Sequence, residues 1–338
     1  MFSWLGSKKS LWFVTLLVVS LMMAGLLVGC GEEEEAEPPE ENGEEEAEEA
    51  EEQEEIDPEI HFAKVEWTCS TQKSYVNKEI LETLGYDMTL NNYAVPVLLE
   101  GLSDGQIDVF TDTWFATFGE PLEERLEDGR IIHLETHLEE AAYGPAVPVY
   151  VYEAGVTSLA DLAEYSEEFD YTYYGLEPGN DGNQVMIDAF EDNTYGLGEW
   201  DIMESSESAM MQAVSDIIED EEWVVFSGWE PHYMNVVFDM EYLDDPEGIW
   251  GEGESIGTIT RAGLEEDDPN LTRYLEQFDV DADIVNEWVY EFGHKGRDNE
   301  EVAKEWVEEN LDIVMEWVDG VTTVDGQDAQ EVLQEAYN

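Results

Sequence analysis

Acidic side chains constrain this chain more than any other feature. Its 338 residues include 85 Asp and Glu against 12 Lys and Arg, which gives a formal net charge of −73. Eighteen of these carboxylates fall within residues 32–59, a run of 28 residues with almost no large apolar side chain. Such a run cannot bury enough surface to offset its ordering entropy. Residues 30–59 are therefore predicted to form a disordered acidic tether outside any core.

The rest of the chain is also acidic. Residues 60–338 keep 67 acidic side chains against 10 basic ones. Salt at about 1 M screens charges more than roughly 3 Å apart, so this balance is suited to a very saline medium, and high solubility is the other interpretation. Nucleic acid is excluded as a partner, because its phosphates need basic residues to neutralise them.

The first thirty residues have the pattern of an export signal. Lys8 and Lys9 precede an apolar run, residues 11–28, that ends in "LLVGC". Eighteen apolar residues could also just span a bilayer as a helix, but "LVGC" resembles the lipobox of bacterial lipoproteins. That resemblance implies a signal peptide over residues 1–29, a lipid anchor on Cys30 and an extracytoplasmic protein held at the cell membrane. Cys69 is the only other cysteine, so the mature chain is predicted to have no internal disulfide.

Residues 60–338 are enough for two lobes with separate cores. Short apolar runs such as "HFAKVEW" and "IDVFTDTW" alternate with helical periods such as "YVNKEILETLGY". This order predicts an α/β fold with a mostly parallel sheet in each lobe. After residue 250 the pattern becomes largely helical, and Trp288, Trp306 and Trp317 lie on apolar helical faces that predict core positions.

Three short β-rich runs end in an indole. "VEW" ends at Trp67, "DVFTDTW" at Trp114 and "WVVFSGW" at Trp229. Open α/β sheets bind ligands in the crevice outside the carboxyl ends of their strands, so indoles from two facing lobes would converge there. A single Trp at such a point is more often a core plug. Three in the same position favour a shared site, and several aromatic faces around one point attract a cation such as a trimethylammonium group.

Longer motifs carry a more specific resemblance. "YGLEPGNDGN", "ESSESAMMQAV", "EEWVVFSGWEPHYMN" and "FDMEYLDDPEGIWG" resemble the substrate-binding proteins of ABC transporters for glycine betaine, proline betaine and choline, above all the choline-binding branch. The likeness extends over residues 61–320. It implies a two-lobed periplasmic-binding-protein fold (type II) with a two-strand hinge and a ligand cleft between the lobes. Lobe 1 is predicted over residues 60–147 and 250–338, and lobe 2 over residues 148–249.

The resemblance also implies the ligand contacts. The cation would lie among four aromatic walls, which are Trp67, Trp114, Tyr143 and Trp229. Asn180 falls where choline-binding relatives hold the polar end of the ligand. By its position alone, the Gly-rich loop around Asn180 could equally be a plain turn and helix cap, or could receive a carboxylate at the helix N-terminus.

Two further residues bear on ligand choice. Choline-binding relatives have an aspartate two residues after the first tryptophan, whereas this chain has Cys69 in "WTC". The charge of an aspartate favours choline and repels the carboxylate of a betaine, and a thiol lacks that charge. Glycine betaine is therefore predicted first and choline second. His232, after "GWEP", is the nearest candidate donor to a carboxylate, and a purely structural role for it is equally open.

Enzyme motifs are missing from the sequence. It contains no "GxSxG" elbow, no Walker lysine loop, no dinucleotide fingerprint and no Cys-pair zinc ligands. His133 and His137 occur in "HLETH", which differs from the "HExxH" of metalloproteases, and are predicted to lie in a surface loop. We therefore expect a non-enzymatic, monomeric protein without metal or cofactor, which delivers its ligand to an ABC permease and its ATPase. A sugar- or peptide-binding lipoprotein is the alternative.

Overall fold

Strands and helices alternate along the chain from Glu59 onward, as the sequence pattern predicts. The computed structural model describes residues 57–251 and 253–337. The predicted signal peptide, Cys30 and the acidic tether up to residue 56 lie outside the described residues. Within those residues, every helix is too short or too polar to serve as a membrane span.

Nine strands occur in the described part of the chain. They are β1 (Glu59–Lys64), β2 (Asp87–Asn92), β3 (Val109–Trp114), β4 (Ile131–Pro148), β5 (Thr172–Gly175), β6 (Asp201–Glu204), β7 (Val225–Glu230), β8 (Met240–Tyr242) and β9 (Glu254–Arg261).

Helices connect these strands and make up most of the C-terminal region. They are α1 (Thr68–Thr83), α2 (Val95–Ser103), α3 (Phe115–Glu127), α4 (Val149–Glu153), α5 (Asp181–Glu191), α6 (Glu207–Glu219), α7 (Met234–Val237), α8 (Leu264–Asp267), α9 (Pro269–Gln277), α10 (Ala282–Val289), α11 (Asn299–Glu309), α12 (Leu311–Trp317) and α13 (Ala329–Ala336).

The strands form two lobes that share β4. In the first lobe the strand order is β2-β1-β3-β9-β4, and in the second it is β4-β7-β5-β6, with β8 also on β4. Strands joined by helical crossovers pair in parallel, namely β1 with β2 and β3, and β5 with β6 and β7. The long strands β4 and β9 add antiparallel pairs, so each sheet is mixed.

Strand β4 passes from one lobe to the other. Its residues from Ile131 to Ala141 pair with β9, and those from Ala142 to Ala146 pair with β7. The chain returns through the segment between β8 and β9. These two crossings match the expected two-strand hinge. The change of partner at Ala142 precedes the boundary predicted at residues 147–148, and we propose Ala142 as the start of the second lobe.

The C-terminal helices pack three indoles into the core of the first lobe. Trp288, Trp306 and Trp317 are all buried. The ring centroids of Trp306 and Trp317 are 5.6 Å apart in a stacked arrangement, and Trp288 meets Trp306 edge-on at 4.9 Å. The sequence-based assignment of these residues to the core is confirmed.

The prediction of a surface loop around "HLETH" is wrong. His133 and His137 lie in β4, and His137 is only 8% exposed. Its Nε2 is 2.7 Å from Thr258 Oγ1 on β9, and burial lowers its pKa to about 3, so the ring is neutral. The apolar residues of "IIHLETHLEE" continue a strand pattern through both histidines. Among the described residues, no group of three or more His, Cys, Asp or Glu is placed to hold a metal ion.

Candidate functional site

Two of the predicted indoles lie at the junction between a strand and the helix that follows it. Trp67 is the N-cap of α1, and Trp114 ends β3 and is the N-cap of α3. An indole has no acceptor for the first backbone N–H groups of a helix, and neither helix has an acidic residue in its first turn. The caps must therefore come from elsewhere in the fold.

Carboxylates from distant segments supply both caps. Glu207 Oε2 accepts a hydrogen bond from Thr68 N at 2.8 Å, and Glu254 accepts from Ala116 N at 2.9 Å and Thr117 N at 3.0 Å. Negative charge is favourable at a helix N-terminus. Each indole is thus left free to project beyond its strand while its helix is capped from outside.

The other two aromatic residues face each other across neighbouring strands. Tyr143 on β4 pairs directly with Trp229 on β7, with their ring centroids 6.2 Å apart at 78°. Tyr143 also meets Trp114 of the first lobe at 5.5 Å and 65°. Both are edge-to-face contacts, in which the edge of one ring meets the face of the other.

The four rings border one void. Trp67, Trp114, Tyr143 and Trp229 surround a small void, together with Cys69 and Leu176. The three indoles are 5%, 3% and 3% exposed, so the lobes are closed over it. Apart from the thiol and the Tyr143 hydroxyl, the wall consists of rings and one leucine. Such a wall suits an apolar cation better than a ligand with many hydrogen-bonding groups.

Cys69 has a carboxylate directly behind it. Its Sγ donates to Asp112 Oδ2 at 3.2 Å, and the other oxygen of Asp112 pairs with Lys73 Nζ. All three residues are at most 2% exposed. Burial raises the pKa of Cys69, so it remains a neutral thiol. The Asp112 carboxylate therefore lies directly behind the Cys69 side chain, and the Lys73 ammonium group balances its charge.

Asn180 holds Tyr143 in place. It is the N-cap of α5, and its Oδ1 accepts from Asn183 N at 3.0 Å and from Tyr143 Oη at 3.1 Å. Burial keeps the pKa of Tyr143 well above its usual range, so the phenol stays a donor. Asn180 Nδ2 is buried without a hydrogen-bond partner among the described residues. The helix-cap interpretation thus holds, and one donor beside Tyr143 is left unused.

His232 lies behind the void rather than in its wall. Its ring centroid is 4.6 Å from that of Trp229, and it is 1% exposed. Nδ1 accepts from Met234 N at 3.1 Å, so Nε2 carries the hydrogen that it donates to Glu207 Oε1 at 3.1 Å. Both ring nitrogens are used within the protein. The structural role that the sequence left open therefore accounts for His232.

Three further residues lie near the rings. Glu177 Oε1 accepts from Trp67 Nε1 at 2.9 Å, and burial raises the pKa of Glu177. Both carboxyl oxygens of Asp181 are buried without a partner among the described residues, and burial, aided by the charges of Glu254 and Glu177, raises its pKa to about 7. Trp250 meets Tyr143 edge-on at 5.1 Å. The motif "EPGNDGN" contains two of these residues.

Comparison with known proteins gives a consistent result. The profile of the family described as the substrate binding domain of ABC-type glycine betaine transport system matches residues 58–309. The glycine betaine/carnitine transport binding protein GbuC of Listeria monocytogenes is 34% identical over 186 residues, which are 54% of this chain and 62% of that protein. The aligned part thus spans less than two thirds of that relative.

Solved structures resemble the whole two-lobed fold. An ABC-transporter choline binding protein in complex with choline has a TM-score of 0.81 and 32% identity, covering 83% of this chain and 99% of the other. Lactococcal OpuAC in its closed-liganded conformation with glycine betaine has a TM-score of 0.69 and 26% identity, covering 77% of this chain and 98% of the other.

Proposed function

Because this chain belongs to the family of substrate-binding domains of ABC-type glycine betaine transport systems, we propose that it captures a quaternary-ammonium compatible solute for import. The observation that carries the proposal is the single void bordered by Trp67, Trp114, Tyr143 and Trp229. Members of the family are solute-binding proteins rather than enzymes, and in ABC importers such proteins work outside the cytoplasm with a membrane permease.

Capture follows from the electrostatics of the rings. A trimethylammonium group is a poorly hydrated cation without an N–H donor, so ring faces solvate it better than a single hydrogen bond would. Closing the lobes removes water and strengthens each good cation–π contact to about 2 kcal/mol or more. The bond from Trp67 Nε1 to the Glu177 carboxylate adds electron density to that indole and favours a cation further.

Glycine betaine is the first candidate ligand. The wall carries a neutral thiol at Cys69 instead of a carboxylate, so it does not repel the carboxylate of a betaine. Asn180 Nδ2 is a buried donor without a partner among the described residues, and it supports a ligand with an acceptor at its polar end.

Choline is the second candidate. Glu177 and Asp181 lie near the rings, and ionised carboxylates there would repel a ligand carboxylate but not a hydroxyl. The choline-bound structure with 32% identity is consistent with this option. Uptake of either solute would serve osmoprotection.

A sugar or peptide is the alternative ligand class. These ligands need several hydrogen-bonding side chains, and the wall of the void offers mainly rings, Leu176 and a thiol. Calorimetric titrations with glycine betaine, choline and maltose separate the classes. We expect both quaternary amines to bind and maltose to give no heat.

Substitution of one wall tests the site itself. Trp229→Ala removes a ring that pairs with Tyr143 across β4 and β7, so binding of every quaternary amine should fall below detection. Trp223→Ala is the matched control, because Trp223 packs on Tyr165 and Phe169 in the second lobe, away from the void. Binding by Trp229→Ala within tenfold of wild type would refute the proposed site.

The remaining parts of the proposal concern the protein's surroundings. A lipid on Cys30 would hold the chain at the cell membrane, and the predicted acidic tether would let the lobes work just above it. The closed, loaded monomer would then dock on an ABC permease with its ATPase. Membrane fractionation of Cys30→Ser tests the anchor, and recovery of that variant with the membranes would contradict it.

A further inference from the structure

A glutamate of the second lobe caps a helix of the first. Glu207 begins α6, which follows β6, and Thr68 begins α1, which follows β1. Glu207 Oε2 accepts from Thr68 N at 2.8 Å, while Oε1 accepts from the Thr68 hydroxyl. Glu207 is 5% exposed and Thr68 is 7% exposed, so this contact is closed to solvent.

The contact compensates for a missing local cap. Trp67 occupies the N-cap of α1 and forms no capping bond with its side chain. Hydrogen bonds from backbone N–H groups to a carboxylate are roughly twice as strong as neutral ones, and a helix N-terminus favours negative charge. When the lobes separate, Glu207 and Thr68 must each exchange this partner for water. The bond is therefore available only to the closed protein.

His232 holds the carboxylate in position. Its Nε2 donates to Glu207 Oε1 at 3.1 Å, and its Nδ1 is occupied by Met234 N. The His232 ring lies 4.6 Å from the Trp229 ring. A continuous path thus runs from Trp229 through His232 and Glu207 to Thr68, the residue next to Trp67. It joins one aromatic wall in each lobe.

The surroundings of this path are tightly packed. A Cβ on Gly293 would come within 2.7 Å of both Thr68 Cγ2 and the Tyr233 ring. Tyr233 also meets His232 with ring centroids 4.3 Å apart. The helical turn Tyr290–His294, which carries Gly293, therefore packs closely against Thr68 of the first lobe and Tyr233 of the second, beside the Glu207 bonds.

We propose that Glu207, positioned by His232, is a latch between the lobes that retains the bound ligand. It forms after capture, because its donors on Thr68 come within reach only as the cleft closes. It therefore slows ligand release without affecting the encounter of ligand with the open cleft. This inference rests on the proposed capture of a quaternary amine, and it assigns Glu207 as a positioning residue that does not touch the ligand.

Stopped-flow tryptophan fluorescence with glycine betaine and choline tests the latch. For Glu207→Gln we expect the dissociation rate constant to rise roughly tenfold while the association rate constant stays within about twofold of wild type. Glu219→Gln, an exposed position at the far end of the same helix, is the matched control and should leave both constants unchanged. Equal dissociation rates for wild type and Glu207→Gln would overturn the proposal.

A double-mutant cycle separates the latch from a general loss of structure. Thr68→Val removes the hydroxyl from the other side of the contact and should also accelerate release. If the latch exists, the effects of Thr68→Val and Glu207→Gln on release are less than additive, since either change breaks the same contact. Full additivity would overturn the proposal. A wild-type protein that binds neither amine would instead refute the proposed function.

Discussion

The Asp112 carboxylate behind Cys69 determines how a charged side chain at position 69 would behave. The thiol faces the void but donates to Asp112, which is itself paired with Lys73. A carboxylate introduced at position 69 would therefore face another carboxylate at close range. Repulsion between like charges raises the pKa of such a group, so its charge would depend on pH.

Cys69→Asp should shift the preference of the site toward choline. A new negative charge attracts the cation of either ligand and repels the carboxylate of glycine betaine. We expect the ratio of choline to glycine betaine affinity to rise roughly tenfold, and to rise more at pH 8 than at pH 6 because the new carboxyl ionises late. Calorimetry at both pH values measures this ratio. An identical ratio for Cys69→Asn, which has similar size without the charge, would show that charge is not the cause.

Asp181 is a second residue whose surroundings oppose its charge. Its pKa is raised to about 7 from an ordinary value of 3.8. The folded state therefore holds this proton up to about pH 7, whereas the unfolded state releases it near pH 4. The resulting contribution to stability is fully present below about pH 4 and is lost as the pH rises through 7.

Asp181→Asn should remove the free-energy cost of ionising this buried carboxyl group above pH 7. We expect its thermal midpoint to exceed that of wild type by roughly 4 °C or more at pH 8, since about 1 kcal/mol shifts Tm by about 2–4 °C in a domain of this size. The difference should shrink toward pH 4. Thermal unfolding of ligand-free protein across this range is the measurement. Asp188→Asn on the exposed side of α5 is the control, and a gain that is independent of pH would contradict the assignment.

The junctions between strands and helices create the site. β3 runs directly into α3, and β1 leads to α1 through a short connection, so Trp67 and Trp114 occupy N-cap positions that usually belong to Ser, Thr, Asp or Asn. Helix α5 contributes in another way, because its first turn packs directly against Tyr143. A Cβ on Gly182 would lie 2.2 Å from Tyr143 Oη.

Gly182→Ala should therefore weaken ligand binding. The added methyl group displaces the Tyr143 ring from its place between Trp114 and Trp229, and we expect an affinity loss of at least tenfold in calorimetry. Gly101→Ala in α2 is a matched control, since a Cβ there would also meet a side chain, Ile107 Cδ1, at 2.5 Å. The control should lower thermal stability and leave affinity unchanged. Equal affinities for Gly182→Ala and wild type would contradict the prediction.

The complete chain is strongly acidic. With a net charge of −73, self-repulsion opposes the compact state, and the closed cleft brings Glu177, Asp181 and Glu207 into the contact between lobes. Salt weakens repulsion between exposed groups more than it weakens buried hydrogen bonds, because screening acts through solvent. High salt concentration should therefore favour both folding and closure of the lobes.

Thermal stability should rise with salt. We expect Tm to increase by roughly 5 °C or more between 0.1 M and 1 M NaCl, over which the screening length falls from about 10 Å to about 3 Å. Sorbitol at matched osmolality is the control, and it should produce a smaller rise. A Tm that is the same at both salt concentrations would show that the acidic surface is not a significant cost to folding.

Local patterns were enough to predict much of this architecture. The alternation of strands and helices, the helical C-terminal region and the burial of Trp288, Trp306 and Trp317 depend on periodicity over a few residues. Family motifs supplied Tyr143 and Asn180, which have no distinctive pattern of their own. The mixed parallel and antiparallel pairing of the sheets was harder to predict from sequence, because the pairing partners of β4 and β9 depend on segments far away in the chain.

The sequence by itself determined which aromatic side chains lie at or just beyond the ends of strands, since each follows a recognisable apolar run. Tertiary structure alone decided what holds them there. Trp67 meets Glu177 across 110 positions of sequence, and Thr68 meets Glu207 across 139. No local pattern specifies such pairs, because each joins residues of two different lobes that meet only in the folded protein.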